Sequence, residues 1–464
     1  GRADRGRGLK SGALLAALCV SACQAPHPQH GKLVTIESCD YRIELSADGQ
    51  ARVQATCKAD GPMAFRVAHR YLEASVHAQQ APRAGRFEAA DRRLSYDVDL
   101  SQLAAGGHDF DRAARVGASF VGTMSSVLLV PEPLTTEIPV TVRVVAAPAV
   151  SVSVGLTRAK TPGTYQLMAH EIPVATYFAF GKLEQRTLDV GGARLELIRL
   201  DGALDVSLDE LSGWVATSAK AVRDFYRAFP VPRVSLTVIP VPERDAVVFG
   251  KVLPESEPGV ALLVGQHASH KALYSDWILV HELFHLGFPS LFGGGKWLDE
   301  GLATYYEPVI RVRAGLYTET ELWSELSQYM PQGLPAFTEH GLDGADDREG
   351  IYWGGAIACL LADVEARRRD PQRGLEVGLR ALREAGGTAS EVWSPSEAIA
   401  AVDKALGAPT LAPIAAQHGE RGSPFDLQAL FVELGVNHDA SGSVQLSDHA
   451  PLSAVRRAIT SPPP

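Results

Sequence analysis

Short apolar runs broken by turn residues fill the first 180 positions. Tyr41–Leu45 and Ala51–Ala55 flank the turn Ala47-Asp48-Gly49 and predict a hairpin. The β-branched runs Val140–Ala146, Val150–Gly155 and Tyr165–Met168 recur between Gly, Pro and Asp, a spacing that predicts a β-sandwich. Near residue 185 the pattern changes. Leu195–Leu200 reads as a strand, and Ser207, with Glu210 three residues on, opens a helix by a capping box. Leu208, Leu211, Val215, Ala219, Val222 and Phe225 then keep one helix face apolar. Val234–Ile239, Ala246–Phe249 and Val260–Val264 predict three further strands; helices alternate with loops beyond them, and from Gly354 the chain is mostly helical.

The N-terminus departs from this pattern. Arg2, Arg5, Arg7 and Lys10 precede the short apolar run Gly12–Val20 and the small residues Ser21-Ala22-Cys23. A basic region, a short apolar run and a small-residue cleavage site mark a secretory leader, removed from the folded protein. Val20-Ser21-Ala22-Cys23 resembles a bacterial lipobox, which implies a lipid on Cys23 that holds the protein on a membrane of the bacterial cell envelope, facing the periplasm or the exterior. Cys39 and Cys57 flank the hairpin and are expected to pair in such an oxidising compartment. Cys359 lies in an apolar helical stretch and reads as a buried small hydrophobe.

Composition narrows the class. At 46% hydrophobic the 464-residue chain can build full cores, which excludes a disordered protein. A net charge of −10 argues against a nucleic-acid partner. The expectation is an α+β multi-domain protein.

Candidate chemistry is concentrated at 281–306. In His281-Glu282-Leu283-Phe284-His285 the two histidines stand one turn apart on one helix face, so both imidazoles can reach one metal ion. Glu282 is placed to act as general base on a water at that metal. Gly287-Phe288-Pro289 ends the helix. A second helical pattern starts near Lys296 and carries Glu300 close to its beginning, a possible oxygen ligand; two histidines and one glutamate leave a fourth position open, as catalytic zinc requires.

His281-Glu282-x-x-His285 followed by Trp297-Leu298-Asp299-Glu300-Gly301 resembles the gluzincin metallopeptidases. Glu300-Gly301-Leu302-Ala303-Thr304-Tyr305-Tyr306, Arg311–Leu316 and Tyr352-Trp353-Gly354-Gly355-Ala356 are most similar to segments of the glycyl aminopeptidase family. After the leader over 1–23, that resemblance implies a β-rich N-terminal domain over 24–183, a thermolysin-like zinc catalytic domain over 184–345 and a helical C-terminal region over 346–464. It implies one Zn2+ per chain on His281, His285 and Glu300, Glu282 as base and proton donor, Tyr352 as oxyanion donor, and Asp299 as support for a ligand. The implied activity is hydrolysis of a peptide or protein substrate. Two departures stand out: fourteen residues separate His285 from Glu300, fewer than in aminopeptidase relatives, and the amine-binding pattern of those relatives is missing, with Glu257 in its neighbourhood. Cleavage inside a chain or at its terminus therefore stays open, as does the oligomeric state. The alternative is a catalytically silent relative that uses the cleft as a peptide- or protein-binding module.

The remaining polar clusters read as ordinary surface. His267 and His270 are expected at the surface, Asp343, Asp346 and Asp347 in a solvated loop, and Arg367-Arg368-Arg369 as cations complementing a helix C-terminus.

Overall fold

The computed structural model describes residues 34–105, 109–135, 137–254 and 257–461. The leader, Cys23 and the proline tail lie outside the described residues.

The hairpin forms from strands Ile36–Leu45 and Gln50–Ala59, with Cys39 directly opposite Cys57 and the two disulfide-bonded. Tyr41, Ile43 and Leu45 point inward along the first strand, and Ala51, Val53, Ala55 and Cys57 along the second, the period-two alternation of a sheet with one buried face. The pair belongs to a seven-stranded sheet in which Ile36–Leu45 also runs parallel to Pro139–Ala146. A four-stranded sheet containing Ser119–Thr123 and Tyr177–Gly181 supplies Phe120, Phe178 and Phe180 to the same core.

A five-stranded sheet follows, in the order Glu184–Val190, Ala193–Arg199, Arg233–Val241, Gly259–Gly265, Val247–Leu253. Helix Leu208–Tyr226 makes the crossover between the parallel strands Ala193–Arg199 and Arg233–Val241. Ser207 caps it, accepting from the backbone N–H of Glu210 at 3.2 Å while Glu210 accepts from the N–H of Ser207 at 2.8 Å. Leu211, Val215, Ala219, Val222 and Phe225 are buried against the sheet side of the core.

Val247–Leu253 is an antiparallel edge strand and runs four residues past the predicted Ala246–Phe249. Gly250 and Lys251 interrupt the apolar pattern there, because this strand lies at the sheet edge and faces a helix closely on one side.

One hydrophobic core runs from Val190 to Ile459 without a break, so the helices after residue 346 pack into the same interior as the sheet. Helices Lys296–Arg313 and Gly355–Arg369 approach closely. A Cβ on Gly301 would sit 2.4 Å from the carbonyl carbon of Gly355, and one on Gly355 would sit 2.0 Å from the carbonyl oxygen of Trp297. The two backbones touch directly, which only glycine permits.

The arginine run closes helix Gly355–Arg369 as expected, and one of its members is also buried. Arg367 does not face solvent: it is buried with Asp363 at 3.1 Å and Glu376 at 2.8 Å, and Arg313 joins Glu376 at 3.2 Å. Helix Gly355–Arg369 is surrounded by protein on nearly every face, so one arginine of the three has to point inward and takes its counter-charges with it.

Candidate metal centre and cleft

The motif helix, Ile278–His285, is anchored before it begins. Asp276 accepts from the N–H of Leu279 at 3.0 Å, filling an orphan donor of the first turn. Leu279, Leu283 and Phe284 bury the back of the helix, which turns His281 and His285 toward helix Lys296–Arg313. Gly293, Gly294 and Gly295 all have positive φ, 85°, 124° and 77°, so the chain reverses tightly between the two helices. That reversal lets the fourteen-residue connection close.

Three side chains converge as a result. Glu300 Oε2 lies 3.3 Å from His281 Nε2 and 3.5 Å from His285 Nε2, and the potential ligand atoms of all three lie within 4.8 Å of one another. Burial works to raise the Glu300 carboxyl, but its hydrogen bonds to both histidines outweigh this and hold it well below the ordinary range. His285 turns its Nδ1 to Asp299 Oδ1 at 2.8 Å; burial opposes a charge on the ring, and Asp299 with Glu300 overcomes it, so the imidazole is raised well above its usual value. Two imidazoles and a charged carboxylate aimed at one point form a donor set that suits a divalent zinc-type ion.

Glu282 lies against the edge strand and lines the same cleft as His285 and Glu300. Burial pushes its carboxyl up, the nearby Glu300 and Asp299 add to this, and the two histidines oppose it. A Cβ on Gly250 would come within 2.7 Å of Glu282 Cγ and 2.5 Å of Ile278 Cγ2. The absent side chain at 250 is what lets the strand lie beside Glu282.

Tyr352 sits in a widened helical turn, Glu349–Gly354, immediately before the glycine contact that docks helix Gly355–Arg369. Its ring stacks on His281 with centroids 5.9 Å apart, and burial together with the Glu300 carboxylate beside its hydroxyl raises the phenol above its ordinary range. A cleft of about 410 Å³ opens in front of these groups, bounded by Gly250, Lys251, Glu282, His285, Glu300 and Tyr352.

Glu257 takes no part in the cleft. It lies 3.8 Å from Arg233, and Arg158, Glu196 and Tyr165 surround it on the sandwich side of the sheet. Lys251 does reach the cleft and forms an ion pair with Asp111 of the sandwich, which also accepts from the Tyr177 hydroxyl at 2.9 Å. Nothing in the local pattern around Asp111 or Lys251 announces that pair, which joins positions 140 residues apart. Asp276 was within reach of sequence reasoning, being an acid just ahead of an apolar helical run. His267 and His270 lie at the surface, the first bonded to Asp205 and the second stacked on Tyr274. Asp343 accepts from the Trp297 indole N–H at 2.8 Å and Asp347 from the N–H of Gly350 at 2.7 Å.

Sheet, motif helix, ligand helix and helical region together give a fold similar to that of solved M1 zinc metallopeptidases. An aminopeptidase N family protein from Idiomarina loihiensis superposes with a TM-score of 0.66 at 13% identity, over 89% of this chain and 82% of that one. An M1 zinc metallopeptidase from Deinococcus radiodurans gives 0.51 at 16% identity, over 85% of this chain and 96% of that one. A variant of that enzyme bound to a Tyr-Ser-Ala substrate gives 0.52 at 15% identity with the same coverage. In sequence, no family model and no curated protein matches the chain. The likeness is therefore one of fold.

Proposed function

We propose that the protein is a zinc-dependent peptidase whose site is His281, His285 and Glu300 as ligands, with Glu282 as general base. The observation that carries this reading is the convergence of the three ligand side chains beside a separate, buried glutamate that faces an open cleft. A binding module has no use for a buried carboxylate next to two imidazoles, since burying that charge costs stability.

Zinc bound there would lower the pKa of a water toward ~7 and polarise the scissile carbonyl. The chain's own residues do the rest. Glu282 takes the proton of the attacking water on its carboxylate and returns it to the leaving amine, and its raised carboxyl suits both halves of that task. The Tyr352 hydroxyl, kept protonated by burial and by Glu300, donates a hydrogen bond to the oxygen that gains charge. Asp299 fixes the tautomer and orientation of His285 through Nδ1. A substrate strand can lie along the free edge of Val247–Leu253, where Gly250 leaves room.

By motif the chain resembles the glycyl aminopeptidase family, and Lys251, paired with Asp111 of the sandwich, lines the cleft. We further propose that a lipid on Cys23 tethers the enzyme to a cell-envelope membrane.

The test is zinc content and hydrolysis measured together. Wild-type protein should hold one zinc per chain and cleave peptides; Glu282→Gln should keep the zinc and lose about 10²-fold or more in kcat. Turnover unchanged in that variant would remove Glu282 from the mechanism, and loss of zinc only from a His281→Ala/His285→Ala control would confirm the ligands.

A further inference from the structure

A second and larger cavity, about 870 Å³, opens between Trp277, Arg311 and helix Glu319–Tyr329. Trp277, Tyr329 and Trp353 wall it; Trp277 is 40% exposed, and Tyr329 stacks on Trp353 at 5.5 Å. A recess of about 70 Å³ shares Trp277, Glu325, Arg348 and Trp353 with this cavity and extends it inward to His281 and Tyr352. The recess thus brings the walls of the cavity up to the ligand His281.

The charged groups in the recess are only partly paired. Glu325 accepts from the Tyr317 hydroxyl at 3.0 Å and has no ion-pair partner within 4 Å among the described residues. The neighbouring Arg311 pairs with Glu307 at 3.0 Å and bonds the carbonyl of Ser275 at 2.9 Å, and its Nε has no hydrogen-bond partner. Thr304, only 9% exposed, presents a hydroxyl oxygen with no hydrogen-bond partner. Arg348 is turned over the Tyr352 ring, 5.6 Å from its centroid, at the metal side of the recess. At roughly 30 Å³ per water the recess has space for about two waters, or for one compact polar head.

We infer that this cavity is a substrate subsite for an arginine or lysine side chain, with Glu325 and Thr304 receiving the cationic head and Trp277 and Trp353 holding the stem. The word substrate rests on the peptidase reading; the binding preference does not. Indole faces attract cations, and a long alkyl stem covers apolar wall while its head reaches a carboxylate. Burial holds the Glu325 carboxyl above its usual range, and a cation at this place relieves that penalty. The alternative occupant, an acidic side chain drawn by Arg348, would bring a second carboxylate beside Glu325.

The test uses zinc-loaded full-length protein and a peptide pool carrying Arg, Lys, Gln, Glu or Ala at each position in turn, read by mass spectrometry. Peptides with Arg or Lys at one fixed position from the scissile bond should be cleaved about tenfold faster than the Gln peptides, and Glu325→Gln should erase that ratio with zinc content unchanged. Calorimetric binding of Arg and Gln hexapeptides to zinc-loaded Glu282→Gln protein gives the same comparison without turnover, and the ratio should vanish on adding Glu325→Gln. Equal treatment of Arg and Gln, or a preference for Glu that Arg348→Gln abolishes, overturns the subsite and leaves the peptidase reading standing. No hydrolysis of any peptide, with the Arg binding preference present, withdraws the peptidase reading and keeps the subsite.

Discussion

Asp299 and Glu300 grip the same imidazole from its two nitrogens: Asp299 Oδ1 lies 2.8 Å from His285 Nδ1, while Glu300 Oε2 lies 3.5 Å from His285 Nε2. Adjacent residues on one helix turn thus set both the tautomer and the position of a ligand. Asp299→Ala should weaken zinc binding about 10- to 100-fold, measured by competition with a chelator of known affinity. Asp299→Asn, which keeps an acceptor oxygen, should recover part of the loss. Zinc affinity unchanged in both variants would mean that His285 needs no second partner.

Gly250 makes a different prediction. Its Cβ would fall inside the contact distance of both Ile278 and Glu282, so Gly250→Ala must push the edge strand away from the motif helix or displace Glu282. The expected outcome is a loss of about 1–3 kcal/mol in stability together with a fall in kcat, zinc content staying at the wild-type value. A drop in zinc instead of kcat would place the strain on the ligands rather than on the base.

The start of the motif helix carries a pH dependence. Burial pushes the Asp276 carboxyl up to about 6, against the bonds from the first N–H groups of the helix, which lower it. The unfolded chain titrates near ~3.9, so between about pH 4 and pH 6 the folded protein holds more protons at this group than the unfolded one. Stability from this group is therefore present below about pH 4 and declines until about pH 6, by about 3 kcal/mol. Asp276→Asn removes the titration and keeps an acceptor for Leu279. The Tm of the variant minus that of wild type should grow from pH 4 to pH 7, and a difference constant across that range would contradict the assignment.

Some of this was legible in the chain and some was not, for physical reasons. His281, His285 and Glu282 follow from helical periodicity alone, since neighbours on one helix face are set by local geometry. The helix after Ser207 was readable for the same reason, its cap and apolar face both being local. Glu300 needed the short glycine turn to be believed, and the three positive φ values supply it. Glu257 shows the limit: proximity in sequence to the edge strand does not say which side of the sheet a loop acid takes, and it faces Arg233 on the sandwich side. The Lys251–Asp111 pair and the Glu325 recess join residues brought together only by tertiary packing, with no periodic signal in either partner. Arg367 closes its helix as the sequence suggested, but its buried pairing with Asp363 and Glu376 depends on tertiary packing and left no local signal.

The backbone contact between Gly301 and Gly355 has a bearing on how the protein fails. Glu300 and Tyr352 sit next to that contact on opposite helices, with no side chain between them to act as a cushion. Any loosening of the C-terminal helices is transmitted to the site undamped, so activity should disappear on warming while the sandwich, with its own core and disulfide, is still folded. The site is in effect the weakest thermometer of the molecule, and a fragment cut before residue 346 would carry the ligands without the wall that keeps them in place.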